Sequence, residues 1–140
     1  MSTRPMSQVL DALRTMLVQA TETTVAIGRP GAVDAALIVW PYRLEEDAAH
    51  HAMKGRSAAS DSAPWHVHLL VFAGDDDDAT TALDALQRAR RAAYAHGMLQ
   101  AGDEMVQLVL RHLTLGELVA LFSVTGVPMA PCLALELVVS

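Results

Sequence analysis

EMVQLVLRHLTLGELVALFSVTGVPMAPCLALELVVS, residues 104–140, reads as a strand, a short helix and a second strand. The apolar run Met105–Leu110 gives way to Thr114, whose hydroxyl is placed to cap a helix beginning at Leu115. Glu117 follows three residues later and completes a capping box. Leu118, Leu121 and Phe122 share one side of that helix, and Gly126 and Pro128 end it before the chain extends again from Cys132 to Val139. A helix inside the link excludes a plain hairpin between the last two strands. Nearly every side chain here suits packing or pairing, and none is shaped for catalysis.

Working outward, SQVLDALRTMLVQA repeats apolar residues at helical spacing: Val9, Leu10, Leu13, Met16, Leu17 and Ala20, with Ser7 as the expected cap. Residues 21–27 suit a short edge strand, ended by Gly28, Pro30 and Gly31. The run 35–40 is a strand by branching and length. Pro41 offers no backbone donor, so it restricts that strand to an edge or to the end of a ladder, past which Tyr42 and Leu44 continue the extension. Trp65–Ala73 is a second strong strand. The acidic run Asp75–Asp78 closes it and opens a helix over about residues 80–96, with Asp78 as cap, Gly97 as terminator, and Leu83, Leu86, Ala89, Ala93 and Tyr94 facing inward. These elements predict a single α+β domain over residues 1–140. They give it a mixed or mainly antiparallel sheet of four to five strands with about three helices. Residues 45–63 mix charge, histidine, glycine, serine and alanine and are expected to form a flexible loop.

Composition narrows the function. A chain of 140 residues that is 52% hydrophobic and 19% charged can bury a core unaided, with few charges left to cover the surface. Ten basic against sixteen acidic residues give a net charge of -6, which opposes phosphate-driven nucleic-acid binding. Arg88, Arg90 and Arg91 then read as a solvated helix face. The lone Cys132 lies in an apolar strand and reads as a structural thiol. No apolar run is long enough to span a bilayer and no signal-peptide core follows Arg4, so a cytoplasmic protein without direct membrane insertion is expected.

Candidate chemistry is sparse. His66 and His68 alternate on one strand and face the same way, as two metal ligands would, but no third ligand stands at diagnostic spacing. A small metal-dependent enzyme using them with a distant carboxylate is the competing reading. His50 and His51 lie in the loop. Asp75–Asp78 lacks the glycine and ligand spacing of a calcium loop, and Glu45, Glu46 and Asp47 read as an exposed strand end. Trp40 and Trp65 are core or interface anchors. No catalytic residue, cofactor or metal site is expected.

Three blocks, taken together and in this order, carry a family resemblance: ALIVWPYRLEED at residues 36–47, PWHVHLLVFAG at 64–74, and LTLGELVALFSVTGVPMAPCLALELVV at 113–139. Across residues 10–139 the chain resembles the N-terminal domain of the tail-cap, or tail-terminator, proteins of contractile injection systems. Family members often carry a tyrosine in the central strand and a tryptophan in the late helix, where this chain has His68-Leu69-Leu70 and Leu121-Phe122. The resemblance implies a non-enzymatic ring, six-fold in the family, at the end of a phage tail-like particle. Such a ring caps the inner tube and engages the last sheath layer. Loop position and chemistry, rather than the resemblance, put Leu44, Glu45 and Glu46 forward as assembly residues with Trp40 and Tyr42 in support. An adaptor outside any tail is the remaining alternative.

Overall fold

The structure is a computed structural model and describes residues 5–46, 64–74 and 79–139. Among the described residues nine elements follow in chain order: helix α1 (Met6–Thr21), strands β1 (Val25–Ile27), β2 (Leu37–Glu46) and β3 (Trp65–Ala73), helix α2 (Ala79–His96), strands β4 (Met98–Ala101) and β5 (Glu104–Arg111), helix α3 (Leu115–Ser123) and strand β6 (Cys132–Val139). They build one six-stranded sheet of order β1-β2-β3-β6-β5-β4. Only β1 and β2 run parallel; every other pairing is antiparallel. The architecture is the expected α+β class with three helices, and the sheet is one strand wider than the sequence pattern predicted. The added strand is β4, whose four residues are too few to show a period.

Alternation along the central strands divides the core in two. Val67, Leu69 and Val71 of β3 and Leu135, Leu137 and Val139 of β6 face α1 and α2, forming the larger cluster with Val9, Leu13 and Leu17. The opposite face carries Ile38, Trp40, Leu70 and Phe72, and α3 covers it by inserting Phe122. The Phe72 and Phe122 rings meet edge to face, 5.6 Å between centroids, a geometry that matches ring edge to ring face.

Local chemistry explains most boundaries. Thr114 Oγ1 accepts from the Glu117 N–H (3.1 Å), and Glu117 Oε1 accepts from the Thr114 N–H (3.0 Å), so the expected capping box is formed. Those contacts, led by the Thr114 backbone N–H, hold the Glu117 carboxyl below its ordinary pKa. Thr114→Ala is expected to cost about 1 kcal/mol, read as a lower midpoint in urea unfolding. Gly97 ends α2 at φ 57 and donates to the Ala93 carbonyl at 3.1 Å, a left-handed turn that glycine makes without strain.

Two local expectations are corrected, at Ser7 and on α2, and one boundary shifts. Ser7 lies inside α1 rather than capping it; Pro5 holds the cap position, with no side-chain cap bond. Leu83 and Tyr94 are 51% and 74% exposed, while Ala82, Ala85, Leu86, Ala89 and Ala93 are buried. The inward face of α2 is thus mostly alanine, small enough to let the helix approach α1 and the sheet closely. Pro41 meets its expectation: it sits within β2 past the end of the β1 ladder, at the register shift between Pro41 and Arg43. It is tolerated there because β1 pairs with β2 only as far as Val39, which leaves the outer side of Pro41 without a ladder to break. Glu45 and Glu46 close β2, as their strand-end reading expected, and so fall outside the loop expected over residues 45–63. Residues 47–63, with His50 and His51, and the acidic run 75–78 with its expected cap lie outside the described residues.

Candidate functional site

Beyond the apolar patch covered by α3, the same sheet face turns polar. The strand registers place His68 opposite both Arg43 and Glu136, and His66 opposite Glu45. Glu136 is the centre of this cluster and is 1% exposed. A carboxylate that deeply buried needs partners, and it has two. Its Oε1 accepts from Arg111 Nε at 2.6 Å, and its Oε2 forms a short hydrogen bond with His66 Nδ1. Burial pushes the Glu136 carboxyl up, but the hydrogen bonds from His66 and Arg111, with the charges behind them, outweigh it and hold the pKa below its ordinary value.

A second pair sits toward the open end of β2. His68 Nε2 donates to Glu45 Oε1 at 2.8 Å, and Arg43 Nη2 donates to Glu45 Oε2 at 2.9 Å. The His68 bond is the main reason the Glu45 carboxyl titrates below its ordinary range. Tyr42 stacks at a tilt between Trp40 and His68, with centroids 5.7 and 6.2 Å away. Burial raises the pKa of its hydroxyl, against the lowering effect of Arg43.

The five residues singled out from sequence therefore do different things. Trp40 is buried in the smaller core cluster and braces Tyr42 from within. Leu44, opposite Val67, is 55% exposed. Glu45 is committed to His68 and Arg43, and Glu46 ends the strand beside Trp65. His66 and His68 face the same way, as alternation required, but their rings bond to different carboxylates, Glu136 and Glu45. Among the described residues no group of three or more His, Cys, Asp or Glu side chains is placed to hold a metal ion. Cys132 is half-buried against the smaller cluster, and burial raises its thiol pKa.

The reading from sequence passed over Glu136 and Arg111. The mark was present: a single carboxylate in Leu135-Glu136-Leu137, inside a strand with no other charge. Such a residue has to find a cation or pay for its desolvation.

The fold has a counterpart among solved structures. The chain is similar in fold to the sheath/tube terminator of an extracellular contractile injection system, PVC, determined by cryo-electron microscopy in the extended state. The TM-score is 0.67 at 16% identity, with 99% of this chain and 57% of that protein covered. The chain thus spans little more than half the length of the terminator. At that identity the likeness is one of fold. No protein-family model matches the chain, and no curated protein does. The three sequence blocks quoted above fall on β2, β3 and the α3–β6 unit. Among the described residues no helix is long and apolar enough to cross a membrane.

Proposed function

We propose that this chain is a structural cap, or terminator, domain of a contractile tail-like particle. It would self-associate into a ring, six-fold by the family resemblance, and join the terminal layers of inner tube and sheath. The observation that carries this reading is the fold likeness to a sheath/tube terminator over nearly the whole chain. The surface chemistry supports it. Leu115, Val119 and Val124, on α3 and at its end, are 67%, 50% and 71% exposed, beside the stripe through which Leu118, Leu121 and Phe122 pack on the sheet. Exposed apolar side chains next to a buried apolar stripe fit a helix edge that is covered in an assembly.

Leu44, Glu45 and Glu46, at the open end of β2, form the second part of the proposed mating surface; exposed Leu44 is its contact residue on the side of the sheet that carries Val67, and Trp40 and Tyr42 brace the strand from the opposite face. The mechanism is geometric: matching faces close around a symmetry axis, and the closed ring ends a polymer that would otherwise add further layers. No reaction centre is required, and the adaptor alternative differs only in lacking the ring.

Native mass measurement with negative-stain imaging, on the chain alone and mixed with the tube and sheath proteins of its particle, tests the reading. Closed rings that bind the end of the tube or sheath are expected. Leu44→Asp and Val119→Asp should leave the circular dichroism spectrum intact and lower ring or end-binding affinity at least about tenfold, since each buries a charge in an apolar contact. A chain that stays monomeric and ignores tube and sheath under all these conditions sinks the proposal.

A further inference from the structure

A cleft of about 490 Å³ lies between the polar cluster and α3. Its polar lining is Tyr42, Arg43, His68, Arg111 and His112, against one carboxylate, that of Glu117. Leu121 and Ala120 of α3 supply an apolar wall.

Hydrogen-bond capacity in and around this cleft is lopsided. Most of its acceptor oxygens are engaged: Glu45 takes one bond on each oxygen, Glu136 beneath does the same, and Glu117 accepts through Oε1 in the capping box. Its donors are in surplus. Among the described residues, Arg111 bonds only through Nε and Arg43 only through Nη2, while the Tyr42 hydroxyl and the His112 ring donate to nothing. Arg111 is also aimed, because buried Glu136 anchors Nε and leaves the two terminal nitrogens as a fork. A guanidinium fork pairs best with a carboxylate, two N–H groups to two oxygens.

We propose that this cleft takes a carboxylate-bearing peptide segment of a partner protein. An Asp or Glu side chain would seat against Arg111 and Arg43, and an apolar neighbour would lie on Ala120 and Leu121. The inference rests on the assembly reading only in taking the occupant to be a protein segment.

Titrating the isotope-labelled chain with the peptide acetyl-Leu-Glu-Asp-Leu-amide, followed by NMR, is the test. The backbone signals of Tyr42, His112 and Leu121 should move, and the neutral peptide acetyl-Leu-Gln-Asn-Leu-amide should leave them in place. The double variant Arg43→Gln, His112→Gln changes two exposed side chains and should weaken acidic-peptide binding about tenfold with the rest of the spectrum unchanged. Equal binding of the two peptides, the same shifts with inorganic phosphate alone, undiminished binding by the double variant, or no shift at all would each overturn the proposal. Absent peptide binding beside intact rings removes the cleft alone. Peptide binding by a chain that never forms rings or binds tube and sheath removes the terminator reading alone.

Discussion

Leu137→Ala is expected to lower stability by about 3 kcal/mol, within the ~2–5 kcal/mol typical of a leucine truncated in a packed core. Leu137 is 0% exposed and lies on β6, the strand between β3 and β5, opposite Val67 on one side and Leu108 on the other. Its neighbours belong to two different strands, and the helical layer of α1 and α2 lies above. No single element can settle into the space, so the cavity stays open and adds to the lost transfer energy. For a domain of this size the loss corresponds to on the order of 10 °C in Tm. Leu133, on the same strand and face but only half-buried, should cost less than half as much when truncated. Guanidinium unfolding of both variants checks this. A midpoint for Leu137→Ala no lower than that for Leu133→Ala would contradict the placement of the core.

How much of this was legible beforehand depended on whether each residue's partner was close in sequence. The capping box of Thr114 and Glu117 spans three residues, and the alternation of β3 and β6 is local, so these elements follow from the chain read in order. Inward orientation on α2 was right at Leu86, Ala89 and Ala93 but misread at Leu83 and Tyr94, where large apolar residues were given a place that Ala82 and Ala85 take. Its alanines hold that face instead, an outcome set by how closely α1 approaches. The four-residue β4 had no pattern of its own and exists through its ladder with β5. Glu136 and its partners were the least legible: His66 is 70 residues away and Arg111 is 25. A strand order that brings β3 and β5 to either side of β6 is what gathers them, and that order is not written in any local period. Which apolar residues of α3 stay exposed was likewise invisible until its packing on the sheet was known.

Glu136→Gln is expected to destabilise the domain by about 2 kcal/mol at neutral pH, the scale of a buried hydrogen bond to a charged group. Glutamine keeps the shape but replaces one of two acceptors with a donor, so either His66 or Arg111 loses its bond. The cost stays below the ~3–5 kcal/mol of a fully buried broken pair, because the Arg111 side chain is 53% exposed and can turn to water. The pH dependence has a definite sign. The folded carboxyl titrates below its ordinary value, so in acid the unfolded chain binds a proton that the folded chain does not. Its contribution is complete above the ordinary carboxylate range and is lost as pH falls through the depressed folded value. Stability of the unmodified chain should therefore fall more steeply below about pH 4.5 than that of Glu136→Gln, and the two curves should converge there. Asp11→Asn, removing an exposed partner 3.7 Å from Arg14 on α1, should shift stability by less than about 0.5 kcal/mol at any of these pH values. Urea unfolding from pH 7 down to the acid transition measures all three. Parallel curves for Glu136→Gln and the unmodified chain would show that the carboxylate is not what ties β3, β6 and β5 together on this face.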